Sequence, residues 1–115
     1  MTDTKVNILG TEYTIEYKIA SQDAILKDSN GYCDITSKRI VILAEKRDED
    51  DIENFIYLQN KTIRHEIIHA FIFESGLFNN TYCVDGGWAK NEEMIDWFAI
   101  QAPKIFKAFT ELGSL

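Results

Sequence analysis

The segment Thr62–Phe71 contains the pattern His-Glu-x-x-His, formed by His65, Glu66 and His69, and it holds both histidines of the chain. Most other positions around the pattern are apolar, so the segment is predicted to be a largely buried helix. Residues four apart lie above one another on one face of a helix. His65 and His69 therefore direct two imidazole nitrogens at one point, and Glu66 lies one helical step round from His65.

The same pattern also arises by chance in unrelated proteins, because two of its five positions are free. The apolar flanks argue against chance here: a buried helix has little reason to carry two histidines and a glutamate unless partners satisfy them. Acidic residues that can complete a metal site also follow downstream. We therefore interpret His65 and His69 as ligands of a divalent metal ion, with Glu66 beside a water molecule held by that ion.

The length, composition and net charge of the chain limit the class of protein that it can be. The chain has 115 residues, the size of one small domain, and its 45% hydrophobic residues can fill one core, so residues 1–115 are predicted to form a single domain. A net charge of −7 disfavours nucleic-acid binding as the main activity. The apolar runs are too short for a membrane-spanning helix, and residues 1–5 lack the basic and apolar runs of a signal peptide. We expect a cytoplasmic protein, and the sequence does not predict its oligomeric state.

Two β-hairpins are predicted in the first part of the chain. Residues 5–10 and 12–19 form the first, with a turn at Gly10-Thr11, because apolar and polar residues alternate along its second strand. Residues 32–35 and 39–43 form the second. Its return strand is continuously apolar over four positions, which is typical of a central strand. We expect the four strands to form one small, twisted antiparallel sheet.

A long helix is predicted from near Asp51 to about Glu74, where Gly76 supplies a left-handed cap. Residues 77–90 read as an irregular loop, which is long for so small a domain and therefore suggests function. Trp88 in this loop is a candidate for lining a substrate pocket.

The C-terminal part is predicted to be helical in two pieces. Asn91 is the expected N-cap of the first helix. Pro103 suits the first turn of a separate last helix over residues 104–112. We expect Trp97 and Phe98 to contribute to the core rather than to a pocket.

A catalytic zinc ion takes three protein ligands and keeps one position for water, so the two histidines leave it one ligand short. No histidine remains, and the third ligand must be a carboxylate or a thiolate. The candidates are Cys83, Asp85, Glu92, Glu93 and Asp96. We favour Glu92, because Asp96 shares its helical face and can accept the N–H of a metal-bound imidazole. An ordinary acidic helix start is the alternative explanation for Glu92 and Glu93.

The His-Glu-x-x-His pattern, followed by a helix that carries Glu92 and Asp96, resembles the gluzincin class of zinc metallopeptidases. In particular it resembles the very small members with a minimal catalytic core, and short proteins of that kind from phages and prophages. The resemblance covers residues 31–102. It implies an α+β, zincin-like fold in which the small antiparallel sheet packs on the long helix and on the C-terminal glutamate helix.

The resemblance also implies roles for individual residues. In gluzincins the glutamate of the first pattern is the general base and the later glutamate is a metal ligand, which corresponds to Glu66 and Glu92 here. One Zn²⁺ is then held by His65, His69 and Glu92, with Asp96 behind an imidazole. Glu66 takes a proton from the activated water and passes it to the leaving amine of the peptide bond. The 22 residues between His69 and Glu92 are few for the class.

An oxyanion donor and a substrate-binding strand complete the expected site. Tyr82 is the favoured donor, because the loop can bring it over the metal; Tyr32 and Tyr57 are rivals, and ordinary packing is the alternative for each. In peptidases of this shape a sheet edge commonly holds the substrate as an added strand, and residues 32–35 or the neighbouring strand would serve. The expected partner is a peptide or protein substrate.

Three functions compete at this point. The first is a zinc-dependent endopeptidase, the second is a non-catalytic, zinc-stabilised binding domain with a peptidase fold, and the third is a metal-free module with an accidental motif. The sequence favours the first, because Glu66 contributes nothing to a structural zinc site, and such sites usually have four protein ligands.

Overall fold

The computed structural model describes residues 2–47, 54–80 and 87–115, and the fold is α+β, as predicted. The strands are β1 (Thr4–Ile8), β2 (Thr11–Lys18), β3 (Gly31–Asp34) and β4 (Arg39–Leu43). The helices are α1 (Phe55–Glu74), α2 (Leu77–Asn80) and α3 (Glu92–Glu111), with 3₁₀ turns at Ala24–Lys27 and Trp88–Lys90. In none of the described helices is there an apolar stretch that would reach across a bilayer.

The four strands form a mixed sheet with the order β1-β2-β4-β3. Strands β2 and β4 run parallel, while the other two neighbouring pairs are antiparallel. The predicted all-antiparallel sheet is therefore wrong. The reason lies in β4, whose residues 40–43 are all buried. A strand so apolar is better covered in the interior of the sheet than at an edge, so β4 inserts beside β2 and leaves β3 at the edge.

Both faces of β4 are covered. Ile40 and Ile42 belong to the larger core, which also includes residues of β1, β2 and α1. On the opposite face, Val41 and Leu43 pack with Leu26 of the first 3₁₀ turn. The continuous apolar run that indicated a central strand thus corresponds to burial on both sides.

The first hairpin turns one residue earlier than predicted. Leu9 and Gly10 occupy the two turn positions with φ of 51° and 94°, and two consecutive positive φ values are the signature of a tight hairpin turn that matches the twist of its strands. Tyr13 and Ile15 on β2 are buried at 0% and 6% exposure. The alternation that predicted a half-buried strand is confirmed.

Helix α1 packs across the sheet and carries the histidines. Asn54 caps its start by accepting a hydrogen bond from the backbone N–H of Tyr57 at 3.0 Å, and Gly76 follows its end with φ of 85°. Buried Gln59 donates to the carbonyl of Leu43 at 3.0 Å, which ties the helix to the end of β4. Residues 51–53 of the predicted helix lie outside the described residues.

The C-terminal region is one continuous helix, and the separate helix predicted for residues 104–112 is wrong. Pro103 lies inside α3 and has no N–H to donate to the carbonyl of Ala99, one turn earlier. The side chain of Arg64 on α1 takes the place of that donor, with its Nε 2.6 Å from the Ala99 oxygen. The helix therefore continues because a neighbouring helix satisfies the carbonyl that proline leaves free. The predicted N-cap at Asn91 is confirmed by a hydrogen bond of 2.8 Å from a backbone N–H three residues on.

The connection between α1 and α3 is more regular than predicted. Within the predicted loop 77–90, residues 77–80 form α2 and residues 88–90 form a 3₁₀ turn. Trp88 is 57% exposed, as a pocket-lining residue would be, but Trp97 on α3 is also 57% exposed. The core role predicted for Trp97 is therefore wrong.

Candidate metal centre

Three of the predicted site residues come together where α1 meets the start of α3. The Nε2 atoms of His65 and His69 lie 3.2 Å apart. The two carboxylate oxygens of Glu92 lie 2.8 Å from His65 Nε2 and 3.0 Å from His69 Nε2. Tetrahedral zinc with ligand bonds of 2.0–2.1 Å places neighbouring ligand atoms about 3.4 Å apart. The donor set, two imidazoles and a carboxylate, therefore fits one zinc ion in both chemistry and spacing.

The antiparallel packing of α1 and α3 produces this convergence. His69 lies level with Glu92, and Lys61, two turns earlier on α1, lies level with Asp96. The side chains of His65 and His69 are 15% and 25% exposed, while that of Glu92 is 66% exposed. The cluster is thus held by the protein on one side and exposed to solvent on the other.

Asp96 fixes the orientation of His65. Its Oδ1 lies 3.1 Å from His65 Nδ1 and 3.0 Å from Lys61 Nζ. Burial alone would raise the pKa of Asp96, but the hydrogen bonds from Lys61 and His65 outweigh it and lower the pKa below its ordinary value. An ionised Asp96 accepts the Nδ1 proton of His65 and leaves the Nε2 lone pair directed at the cluster.

His69 is held in the neutral form that a metal ligand needs. Burial lowers the pKa of His69 most strongly, and the nearby His65 lowers it further. The carboxylate of Glu92 raises it, but the pKa still lies below its ordinary value. A neutral imidazole has a free lone pair, and binding of a metal ion then requires no loss of a proton.

Glu66 is a buried carboxylate beside the cluster. It is 8% exposed, and within the described part of the chain its carboxylate receives no hydrogen bond. Burial raises the pKa of Glu66 to about 7, with His65 and Lys61 opposing the rise and Glu92 adding to it. A carboxyl group with a pKa near neutrality can both accept and return a proton.

A small cavity of about 140 Å³ lies next to Glu66, between β3 and α1. Its walls are formed by Ser29, Asn30, Gly31, Lys61, Thr62, His65, Glu66 and Asp96. Nearly all of these side chains are polar, so the cavity suits water or a peptide group rather than an apolar ligand.

Gly31 lets β3 approach α1 closely at this cavity. A Cβ atom at this position would lie 2.8 Å from Thr62 Cγ2 and 3.0 Å from the carbonyl oxygen of Val41. No side chain larger than hydrogen fits without displacement of the strand or the helix. Strand β3 pairs with β4 on one side, and no described strand pairs with its outer edge, which lies beside the cavity.

The other candidate ligands do not join the cluster in the described structure. Cys83 and Asp85 lie outside the described residues. Glu93 is exposed and, unlike Glu92, does not belong to the group of donor atoms around the histidines. Glu92 is therefore the acidic residue that the described structure groups with the two histidines, and its role as a metal ligand stays a prediction.

The candidate oxyanion donors are less well placed. Tyr82 lies outside the described residues. Tyr32 donates its hydroxyl to Asp23 and packs on the sheet face opposite α1. Tyr57 is 52% exposed and lies beside Pro103, about three helical turns along α3 from Glu92. Neither rival of Tyr82 reaches the cluster.

Lys61 is the site residue that the motif did not predict. Its ammonium group pairs with Asp96 and lines the cavity beside Glu66. The signal was present in the sequence, since Lys61 precedes His65 by four residues and therefore shares its helical face.

Comparison of the chain with models of known protein families, with curated proteins and with solved structures gives no match. The function is therefore argued from the chemistry of the site alone.

Proposed function

We propose that the protein is a zinc-dependent peptidase in which His65, His69 and Glu92 hold one Zn²⁺ and Glu66 is the general base. The observation that carries the proposal is the convergence of three metal-type donor atoms, all within 4.8 Å of one another, beside a buried glutamate. A structural zinc site would not need that glutamate.

Asp96 and Glu66 have separate roles in the proposed reaction. When bound, the zinc ion supplies Lewis acidity to a water molecule and to the substrate carbonyl. Asp96 holds the Nδ1 proton of His65 and so keeps Nε2 available as a ligand. The Glu66 carboxylate accepts a proton from the attacking water and delivers it to the leaving amine nitrogen, so that the peptide bond and one water become a carboxylic acid and an amine.

The proposal also includes how the substrate binds, how the elements are arranged and where the protein is located. A peptide or protein substrate lies as an added strand along the free edge of β3, which brings its backbone past the cavity beside Glu66. The zincin-like arrangement, in which α1 lies between the sheet and α3, is part of this proposal, as are endopeptidase action and the cytoplasmic location.

Substitution of the base tests the proposal. Purified wild-type protein should contain one zinc ion per chain by elemental analysis and should cleave unstructured proteins such as casein, with the new termini identified by mass spectrometry. Glu66→Gln should keep the zinc and lower the cleavage rate by about 10²-fold or more, because general-base catalysis typically contributes 10²–10⁴-fold. His69→Ala is the matched control and should lose both zinc and cleavage. Wild-type protein that binds no zinc when supplied with it would overturn the assignment.

The second candidate is a non-catalytic, zinc-stabilised binding domain. The small volume of the cavity beside Glu66, about 140 Å³, favours it. In that case zinc raises the melting temperature of the wild type and of Glu66→Gln equally, and neither protein cleaves any substrate that is offered.

A further inference from the structure

The last part of α3 extends past the start of α1 with little cover. Tyr57, near the start of α1, lies beside Pro103 and Lys104, and from residue 106 onward every residue is exposed. Phe106 and Phe109 are each 44% exposed. The end of this helix therefore presents large apolar side chains that the described part of the chain leaves uncovered.

The exposed segment has one apolar side. At 3.6 residues per turn, one side of α3 carries only apolar residues beyond its middle. These residues are Ala102, Ile105, Phe106, Phe109 and Leu112. The charged residues of the same segment, Lys104, Lys107 and Glu111, fall on the opposite side. Two such apolar sides can meet without charge repulsion, despite the net charge of −7.

The same side of α3 borders an apolar cavity near the start of the helix. The cavity has a volume of about 320 Å³ and is lined by Ile68, Phe71, Ile72, Trp88, Met94 and Phe98. Phe71 and Trp88 at its rim are 41% and 57% exposed. Helical periodicity places Met94 and Phe98 on the side of α3 opposite Glu92. The cavity is therefore separate from the candidate metal centre.

The cavity and the exposed rings are arranged symmetrically along α3. Phe98 precedes Ala102 by four residues and Phe106 follows it by four; Met94 and Phe109 lie eight and seven residues away. With a rise of about 1.5 Å per residue, both sets lie roughly 6–12 Å from the level of Ala102. A two-fold axis at that level would bring the rings of one copy onto the cavity of the other.

We propose that two copies of the chain pair through α3 in antiparallel orientation, so that Phe106 and Phe109 of each copy fill the apolar cavity of the other. A two-fold interface must be self-complementary, and this chain carries both halves of the contact on one side of one helix. Each contact forms twice, which doubles the apolar area removed from water. The metal centre stays open, because it lies on the other side of the contact between α1 and α3.

Analytical ultracentrifugation tests the pairing. The wild type should sediment as a dimer, and Phe109→Glu should raise the dissociation constant by about a hundredfold or more, because it would bury two carboxylates in apolar surroundings. Ile100→Glu is the matched control: Ile100 is 37% exposed on the same helix but lies on the side away from the cavity, and the variant should remain a dimer. Circular dichroism verifies that each variant is folded.

A variant on the cavity side gives an independent measurement. Trp88→Lys should also be monomeric, and a mixture of Trp88→Lys with Phe109→Glu should form a heterodimer, since one of the two contacts stays intact and the other sets the introduced ammonium group against the introduced carboxylate. A wild type that stays monomeric at the highest soluble concentration overturns the proposal. So does a dimer that survives both substitutions, a dimer that Ile100→Glu dissociates equally, or a mixture that does not associate.

Discussion

Gly31 shows how one residue sets the distance between the sheet and helix α1. We predict that Gly31→Ala lowers the free energy of unfolding by about 1–3 kcal/mol, the usual cost of overpacking. The added methyl group would meet Thr62 Cγ2 at 2.8 Å, and Thr62 cannot easily rotate away, because its hydroxyl donates to the carbonyl of Leu58 at 2.8 Å. Urea unfolding at neutral pH measures the loss.

Thr62→Ser supplies the control for this prediction. It removes the methyl group that the new Cβ would meet and keeps the hydroxyl that bonds to Leu58. The double variant Gly31→Ala with Thr62→Ser should therefore be less destabilised than the sum of the single variants. Additive losses would show that the close contact with Thr62 is not the cause.

For individual residues, the sequence predicts those features that depend on helical spacing. His65, Glu66 and His69 are local neighbours on α1, and the preference for Glu92 over Glu93 follows from Asp96, one turn later on α3. The partners that come from other elements were not predictable. Nothing local to Gly31 in the sequence indicates that it faces Thr62, because that contact exists only once the sheet packs on the helix.

Among the elements, α3 departs most from its sequence pattern. Pro103 predicted a helix break, and the helix continues because Arg64 donates to the free carbonyl of Ala99. The donor lies 35 residues away in sequence, so propensity alone could not reveal it. The mixed sheet has a similar cause, since the apolar run of β4 indicated a central strand but not which strands would become its neighbours.

The contact between Arg64 and Ala99 can be tested by a double-mutant cycle. Arg64→Ala leaves the Ala99 carbonyl without a donor and should lower the free energy of unfolding by about 1–3 kcal/mol. Pro103→Ala restores a backbone N–H that can bond to the same carbonyl within the helix. In the Pro103→Ala background, removal of Arg64 should therefore cost clearly less. Equal costs in the two backgrounds, measured by urea unfolding, would contradict this account of the continuous helix.

In the molecule as a whole, Glu74 joins the sheet to the end of α1. Its carboxylate accepts hydrogen bonds from Lys38 Nζ at 2.9 Å, from the hydroxyl of Tyr13 at 2.7 Å and from that of Thr11 at 3.0 Å. Lys38 precedes β4, while Thr11 and Tyr13 belong to β2, so one side chain connects three elements. No local pattern predicts this network, because Glu74 lies 36 to 63 residues away from its three partners.

The network gives the fold a defined response to acid. The hydrogen bonds from Lys38 and then from Tyr13 lower the pKa of Glu74 below its ordinary value of 4.5. A carboxyl group whose folded pKa is depressed contributes stability above its unfolded pKa, and that contribution is lost as the pH falls through the folded pKa.

We therefore predict that the wild type loses stability as the pH falls below about 4.5, and that Glu74→Gln is less stable at neutral pH but loses less stability on acidification. Urea unfolding at a series of pH values measures both effects. Glu12→Gln is the control, because within the described residues Glu12 forms only an exposed pair with Lys5, and the variant should keep the acid response of the wild type. If Glu74→Gln keeps the full wild-type response as well, the ion pair with Lys38 does not stabilise the fold, and the connection between the sheet and α1 rests on apolar packing and on the hydrogen bond from Gln59 to Leu43.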